Sequence, residues 1–566
     1  MDSEIFTIPL TPASLRRAET ETLKASKLPK TILDLNLSYA SGQGKIIVDP
    51  LEAEAEYGSE LAGKLKLDAT QQIVLWPQPS HSPDDPQNWS SRKKTAHLII
   101  LTMASFVPDF CSAIGIPCLF SLAKEFNSTP GEINDLTTNW SIFLLGPGGI
   151  LAVILVKRYG RLPILFWSQL IGLGFLIGCA VAPSLPAYAA MRCLNSFFST
   201  APQVMGLYVI NDLYPFHLQA RMLNLWTCGF LASPFVSPWL FGYLVTSLSY
   251  RWAYWIACMY VVIVVIVIAL YMEETIYDRF SHDNIIPATG FKARFETLIG
   301  IAGYRTSDDR ETWKQAITPM IKLLSRPNLM GIIIYLGAMF GFAIGINVTN
   351  MKQPANWDYL LVLRTWYFNY QDATPVVAVF IGELMGRYIN DAIAKRLTHR
   401  NSGVFEPEMR LWTLYIALPM YVGGLILLGA AFQEKLSVAA IVIGWGLAEV
   451  ATMVTTVACL NYANNTFPFP GEISALLNQG RVLGGFAVPY FQIKWASSRG
   501  ALETFGCEAA FVTLLFLLVV PILQIKGPQL RARFALHPVI IVKSGKNSDP
   551  EKRDMVVLDK EVKLKP

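Results

Sequence analysis

Apolar runs of close to 20 residues recur along the chain from position 97 to position 525. An α-helix rises 1.5 Å per residue, so about 20 residues cross roughly 30 Å of hydrocarbon. The pattern predicts six such helices at 97–117, 140–156, 162–181, 188–210, 222–245 and 252–272. A charged stretch follows, and six more runs occupy 329–348, 374–389, 411–432, 438–460, 471–495 and 509–525. The run at 374–389 is the shortest and contains Pro375, yet topology requires it because the next loop is basic. The expected fold class is an all-α integral membrane protein with twelve transmembrane helices in two six-helix halves, at 95–272 and 329–526. The remaining segments are a central loop at 273–328, an N-terminal tail at 1–94 and a C-terminal tail at 527–566. The N-terminal tail is rich in Ser, Glu, Lys and Pro without a sustained period, and is expected to be mostly disordered.

Composition supports lipid as the solvent. Of 566 residues, 52% are hydrophobic and 16% are charged, against about 25% charged in soluble domains. The net charge of +5 is small for this length, and the basic residues sit in separate short loops. Nucleic acid is therefore not an expected partner. Eight cysteines lie in or beside apolar runs without a C-x-x-C pair and read as small packing residues. The chain opens on a polar stretch, so the first span is expected to act as an uncleaved insertion signal.

Basic residues fix an expected orientation. Arg92, Lys93 and Lys94 precede span 1, Lys157, Arg158 and Arg161 join spans 2 and 3, and Arg387, Lys395, Arg396, Arg400 and Arg410 join spans 8 and 9. All fall on one side, whereas the loops at 182–187 and 433–437 carry few cations. Positive charge stays inside, so both tails and the central loop are expected in the cytosol. Asn127, in the sequon Asn127-Ser128-Thr129, would then lie outside as a glycosylation acceptor.

Several loop motifs resemble the major facilitator superfamily, in particular fungal proteins of its twelve-span drug:proton antiporter branch, a group that also holds polyamine and cation transporters. The resemblance covers about 72–530. Asp84-Asp85-Pro86-Gln87-Asn88-Trp89 before span 1 is similar to that group's Asp-Pro-x-Asn-Trp signature. Glu273-Glu274-Thr275-Ile276-Tyr277-Asp278-Arg279 after span 6 and Pro407-Glu408-Met409-Arg410-Leu411-Trp412 before span 9 resemble the same group. The superfamily's loop between spans 2 and 3 corresponds to Lys157-Arg158-Tyr159-Gly160-Arg161, and its second-half counterpart to Gly386-Arg387-Tyr388-Ile389-Asn390-Asp391. The resemblance implies the major facilitator fold and a cytosolic gate, in which Gly160 permits a tight turn and Arg161 and Arg387 pair with carboxylates or helix ends. The usual Asp of the first motif is replaced by Lys157, and Asp212, close to Arg221, is the candidate carboxylate. Glu383 in span 8 resembles a gating residue. The alternative is that these charges only set topology.

Charge inside a span costs a few kcal/mol or more, so each such residue is a functional hypothesis. Asp109 in span 1, Arg192 in span 4 and Glu449 in span 10 stand out. A carboxylate from each half plus a cation fits a central cavity, where either carboxylate can carry a proton between sides. Arg192 matches the family's span-4 arginine, although the Gln and Gly that usually follow are Asn195 and Ser196. The alternatives are polar contacts that fix helix packing and, for Arg192, snorkelling. Span 5 keeps both prolines of the family's antiporter motif, Pro234 and Pro238, but has serines in place of flanking glycines. Trp226, Tyr208, Trp445 and Phe342 are candidate cavity linings or packing residues.

All six histidines fall in predicted cytosolic segments or at their edge, and no phosphate-binding glycine loop occurs. Neither a metal site, a cofactor nor an enzyme is expected. The expected activity is secondary active, proton-coupled export of small amphipathic organic molecules by a monomer in a bilayer, by family default the plasma membrane. Uptake of polyamines or organic cations is the alternative, and a transport-inactive sensor with a signalling tail is a third.

Overall fold

A computed structural model describes residues 46–68, 70–277, 290–307, 310–352 and 361–534, with positions 31, 32, 35, 36, 39 and 279. The parts of the two tails at 1–30 and 535–566, and His282 and His537, lie outside the described residues. Twelve helical rods run through the described residues. In the first half these are Ser91–Glu125, Pro130–Tyr159 and Arg161–Val181, then the pair Leu185–Ser199 and Ala201–Leu213, then Phe216–Ser247 and Arg251–Tyr271. In the second half they are Pro327–Lys352, Leu361–Met385, Pro407–Gln433, Val438–Thr466, Pro470–Arg499 and Ala501–Arg533. They are called spans 1 to 12 in that order. Among the described residues, nine are long and apolar enough to cross a membrane by composition alone. Spans 4 and 11 fall short because they carry polar groups, such as Arg192 and Arg481, inward.

Local chemistry sets the ends of the rods. Span 1 starts where the Ser90 hydroxyl accepts from the Lys93 amide at 3.4 Å, six residues before the apolar run. It breaks at Ile114 and continues from Gly115 to Glu125. Gly160, at φ +108°, turns the chain between spans 2 and 3, a backbone conformation that glycine adopts without a Cβ penalty. Span 8 begins at Leu361, well before the expected 374, and carries Pro375 inside it.

Small residues let rods approach closely. Gly337 and Gly341 of span 7 face Gly480 and Gly484 of span 11, and a Cβ at any of the four would meet the opposing span. This is the small-x-x-x-small packing of membrane helices. The two halves meet where spans 2 and 4 pack on span 11 and where span 5 packs on span 8.

The N-terminal tail differs from its expectation. Residues 46–90 are folded against the central-loop end of the bundle. Strand β1 (Ile46–Ile47) pairs antiparallel with β2 (Val404–Phe405), which lies between spans 8 and 9. Trp76 is 3% exposed, donates to the Ile47 carbonyl at 2.8 Å and accepts from the Phe216 amide at 2.8 Å through its own carbonyl. Ile47, Val74, Trp76 and Leu65 share one apolar cluster with Phe216 of the first half and Ala394, Phe405 and Met409 of the second. The segment is thus a strap across both halves. Its apolar residues are too irregularly spaced to show a period, so the partners appear only once the chain is folded.

Candidate functional site

Asp109 follows Pro108 in span 1 and is 5% exposed. Its Oδ2 accepts from Gln203 Nε2 of span 4 at 2.9 Å and from Arg481 Nη2 of span 11 at 2.9 Å. The ion pair therefore joins the first half to the second. Arg481 also donates to Asn478 Oδ1 at 2.9 Å and to Gln203 Oε1 at 3.3 Å. Its guanidinium lies over the Phe340 ring at 4.5 Å and the Phe230 ring at 5.3 Å, each face of which attracts a cation. One nitrogen of the buried guanidinium, Nη1, has no hydrogen-bond partner among the described residues. Trp226 supports the site from below, donating to Ser105 Oγ at 2.7 Å while Gln203 reaches the Ser105 carbonyl at 3.3 Å.

The other intramembrane candidates lie apart from this pair. Arg192 donates to the Ser112 carbonyl, to Tyr188 Oη at 3.0 Å and to Tyr254 Oη at 3.2 Å. It fills the hollow where span 1 breaks, and a Cβ at Gly115 would collide with its guanidinium. Asn195 donates to the Gly172 carbonyl of span 3 at 2.8 Å. Both hold the first half together. Glu449 is 2% exposed, and Trp445 Nε1 of the same helix donates to it at 3.4 Å. Glu508 of span 12 accepts from Gln492 at 3.1 Å. Of the aromatic candidates, Phe342 packs on Phe511 within the second half, and Tyr208 belongs to the charge network described next.

A network of charges closes the end of the bundle that bears the central loop. Lys157, last turn of span 2, contacts Glu472 at the start of span 11 and Glu311 of the central loop, the latter at 3.0 Å. Tyr208 donates to Glu472 at 2.9 Å. Arg161 pairs with Asp212, lies over the Tyr208 ring at 4.9 Å, and its amide donates to Glu274 at 2.9 Å. A Cβ at Gly160 would come within 2.7 Å of the same Glu274 carboxylate. Asp212 thus meets Arg161, while Lys157 finds Glu472. Arg221 of span 5 bonds Asp391 at 2.6 Å, and Asn224 donates to the Glu383 carbonyl at 2.8 Å and to its carboxylate at 3.3 Å. Asn211 and Asn464 bond each other across the halves at 2.8 Å. Arg387 is exposed and has no ion pair among the described residues. Burial raises the Glu311 carboxyl above its ordinary range, against the opposing pull of Lys157. Asn127 is exposed in the loop between spans 1 and 2, at the opposite end.

Arg481, Glu472 and Glu508 were not singled out by sequence reasoning, although all three lie in or beside the predicted runs at 471–495 and 509–525. The rule that marked Asp109 marks them equally. What sequence lacks is the pairing, since Asp109 and Arg481 stand on spans 1 and 11.

Comparison with known proteins agrees with this architecture. The profile of the Major Facilitator Superfamily matches residues 98–489. The chain is 24% identical over 494 residues to an MFS-type transporter, phm3, of Pyrenochaetopsis sp, covering 83% of this chain and 96% of that protein. It is 22% identical over 490 residues to the efflux pump radE of Floropilus chiversii, covering 83% and 86%. In structure it resembles XylE, a proton:xylose symporter from E. coli, with a TM-score of 0.53 and 13% identity over 76% of this chain and 97% of that one. With two six-helix halves joined across spans 2, 4, 5, 8 and 11, and a family match that runs from span 1 into span 11, the chain is a multi-pass membrane transporter of the Major Facilitator Superfamily.

Proposed function

We propose that this transporter exports small amphipathic organic molecules, such as drugs or secondary metabolites, by alternating access coupled to protons. The observation that carries the reading is the buried Asp109–Arg481 pair, because its two members stand on different halves. Opening the bundle at that depth separates them and leaves the carboxylate without its cation, a buried charge that is costly unless neutralised. Proton binding and separation of the halves are then one event. Asp109 is the coupling carboxylate, and Arg192 and Asn195 position span 1 around its break. Glu449, held by a tryptophan on its own helix, is a second coupling candidate. Lys157, Gly160, Arg161, Asp212, Arg221, Glu383 and Asp391, together with Glu472, form the gate. For Arg387, which has no ion pair among the described residues, the topology-setting alternative is the reading adopted. Relatives named as an efflux pump and an MFS-type transporter support a metabolite-export reading. We place the protein in the plasma membrane as a monomer with both tails and the central loop in the cytosol and Asn127 outside.

The test is flux in sealed vesicles with the purified protein, using dyes, drugs and polyamines with and without an uncoupler. Movement of a dye or drug against its gradient, abolished by the uncoupler and by Asp109→Asn, is the expected result. Glu449→Gln should also abolish gradient-driven movement, and unchanged transport by that variant removes Glu449 from the mechanism. Accumulation of polyamines alone would replace this reading with cation uptake. The carboxylates of Glu449 and Glu508 favour that second reading to the extent that neither has an ion pair among the described residues.

A further inference from the structure

The central loop contains two helices that look out of the protein with apolar side chains. In the helix Trp313–Leu324, Ala316, Met320 and Leu323 are buried against the bundle. Trp313, Ile317, Ile321 and Leu324 form a second apolar stripe that is exposed, Ile321 at 65%. At about 100° per residue the two stripes are neighbours on the helix surface, and Lys314 and Lys322 lie on the remaining side. Three sectors of one helix thus suit protein, hydrocarbon and water in turn. The helix Phe291–Ile299 repeats the arrangement, with Phe291 87% and Phe295 51% exposed beside Lys292.

Hydrogen bonds from two side chains, Trp167 and Arg294, fix the depth of this module. Trp167 Nε1 donates to the Ile299 carbonyl at 3.0 Å. Trp167 is exposed on span 3, about 9 Å along the helix from Arg161 at 1.5 Å per residue. Arg294 donates to the carbonyls of Ala269 and Leu270, the latter residue being 58% exposed at the end of span 6. The loop helix therefore crosses the ends of spans 3 and 6 on the side those spans turn to lipid. Charge completes the picture. Glu296 and Glu311 of this loop are held by Arg305 and Lys157, while Lys292, Lys314 and Lys322 have no ion pair among the described residues.

We propose that the central-loop helices Phe291–Ile299 and Trp313–Leu324 form a membrane-surface module. Their exposed apolar stripes enter the headgroup boundary of the transporter's own bilayer, and Lys292, Lys314 and Lys322 bind anionic phospholipid headgroups. Interfacial helices join apolar burial to attraction for anionic lipid in this way. Trp313 stands two residues after Glu311, so the module and the Lys157 contact are linked by one short segment.

The test uses the full chain in lipid nanodiscs of phosphatidylcholine alone or with phosphatidylglycerol. A spin label is placed through Ile321→Cys in a Cys507→Ser background, since Cys507 is the exposed cysteine among the described residues. The label should collide several-fold more often with oxygen than with a water-soluble nickel complex, and the ratio should rise with phosphatidylglycerol. Lys314→Glu with Lys322→Glu should remove that rise. A label that favours the nickel complex in both compositions overturns the membrane assignment. An oxygen preference unaffected by lipid charge or by the lysine variants overturns the anionic headgroup site.

Discussion

Asp109 and Arg481 are each useful only while the other is present. Both side chains are 7% exposed, and an unpaired charge left at such a site carries the full cost of lost hydration. Replacing one partner of a buried pair typically costs about 3–5 kcal/mol, whereas replacing both can be nearly neutral. Asp109→Asn and Arg481→Gln should therefore each lower the unfolding temperature of the purified protein strongly, and the double variant should recover most of the loss. Additive losses in that cycle would show that the two residues act independently. Arg192 differs in kind, since its partners are a carbonyl and two phenols of its own half. Arg192→Gln is expected to lower stability while gradient-driven movement, read by the vesicle assay, survives where Asp109→Asn loses it. The legibility of the site follows the same division. Asp109, Arg192 and Glu449 are visible as charge within apolar runs, but their grouping is set by which rods touch. Arg481 belongs with Asp109 only because its long side chain reaches from span 11 to span 1 at that depth.

At the scale of elements, the spans and their order are legible because lipid imposes length and hydropathy on every crossing helix. Spans 4, 8 and 11 blur the signal, and the strap at 46–90 escapes it, because a two-residue strand paired to positions beyond 400 leaves no local period. The strap's anchor is Trp76. Truncating a buried tryptophan costs about 3–5 kcal/mol, so Trp76→Ala should release 46–90 and raise amide exchange there while the spans stay protected. Unchanged protection of 46–90 would mean that the β1–β2 pairing holds the strap by itself. Asp85 secures the other end through Arg279 at 2.9 Å. Burial pushes its carboxyl up, but the Arg279 guanidinium and the Ser80 and Gln87 amides outweigh this and hold it below the ordinary 3.8. Stability from a lowered carboxylate is complete above the unfolded value and lost as pH falls through the folded one. The Arg279 contact should therefore persist across pH 5–8 and fail only in strong acid, as read by exchange at 80–90.

For the whole molecule, the charge network at the central-loop end is the proposed latch that holds that side of the bundle shut. Lys157 and Glu472 are 11% and 1% exposed, and each stands on a different half. Losing the Glu472 carboxylate leaves Lys157 with Glu311 alone, a loop residue whose burial already disfavours its ionised form. If that loss costs the closed arrangement about 3 kcal/mol, the balance between closed and open shifts roughly a hundredfold, at 1.4 kcal/mol per factor of ten. Asn211 and Asn464 report on this directly, because their side chains meet across the halves at 2.8 Å beside the latch. With Asn211→Cys and Asn464→Cys in a Cys507→Ser background, a short bifunctional reagent should link the halves efficiently. Adding Glu472→Gln should cut the yield several-fold, and adding Arg387→Gln should leave it intact, since Arg387 holds no carboxylate among the described residues. Equal yields with and without Glu472 would make the network a scaffold and move the gate elsewhere along spans 4 and 11.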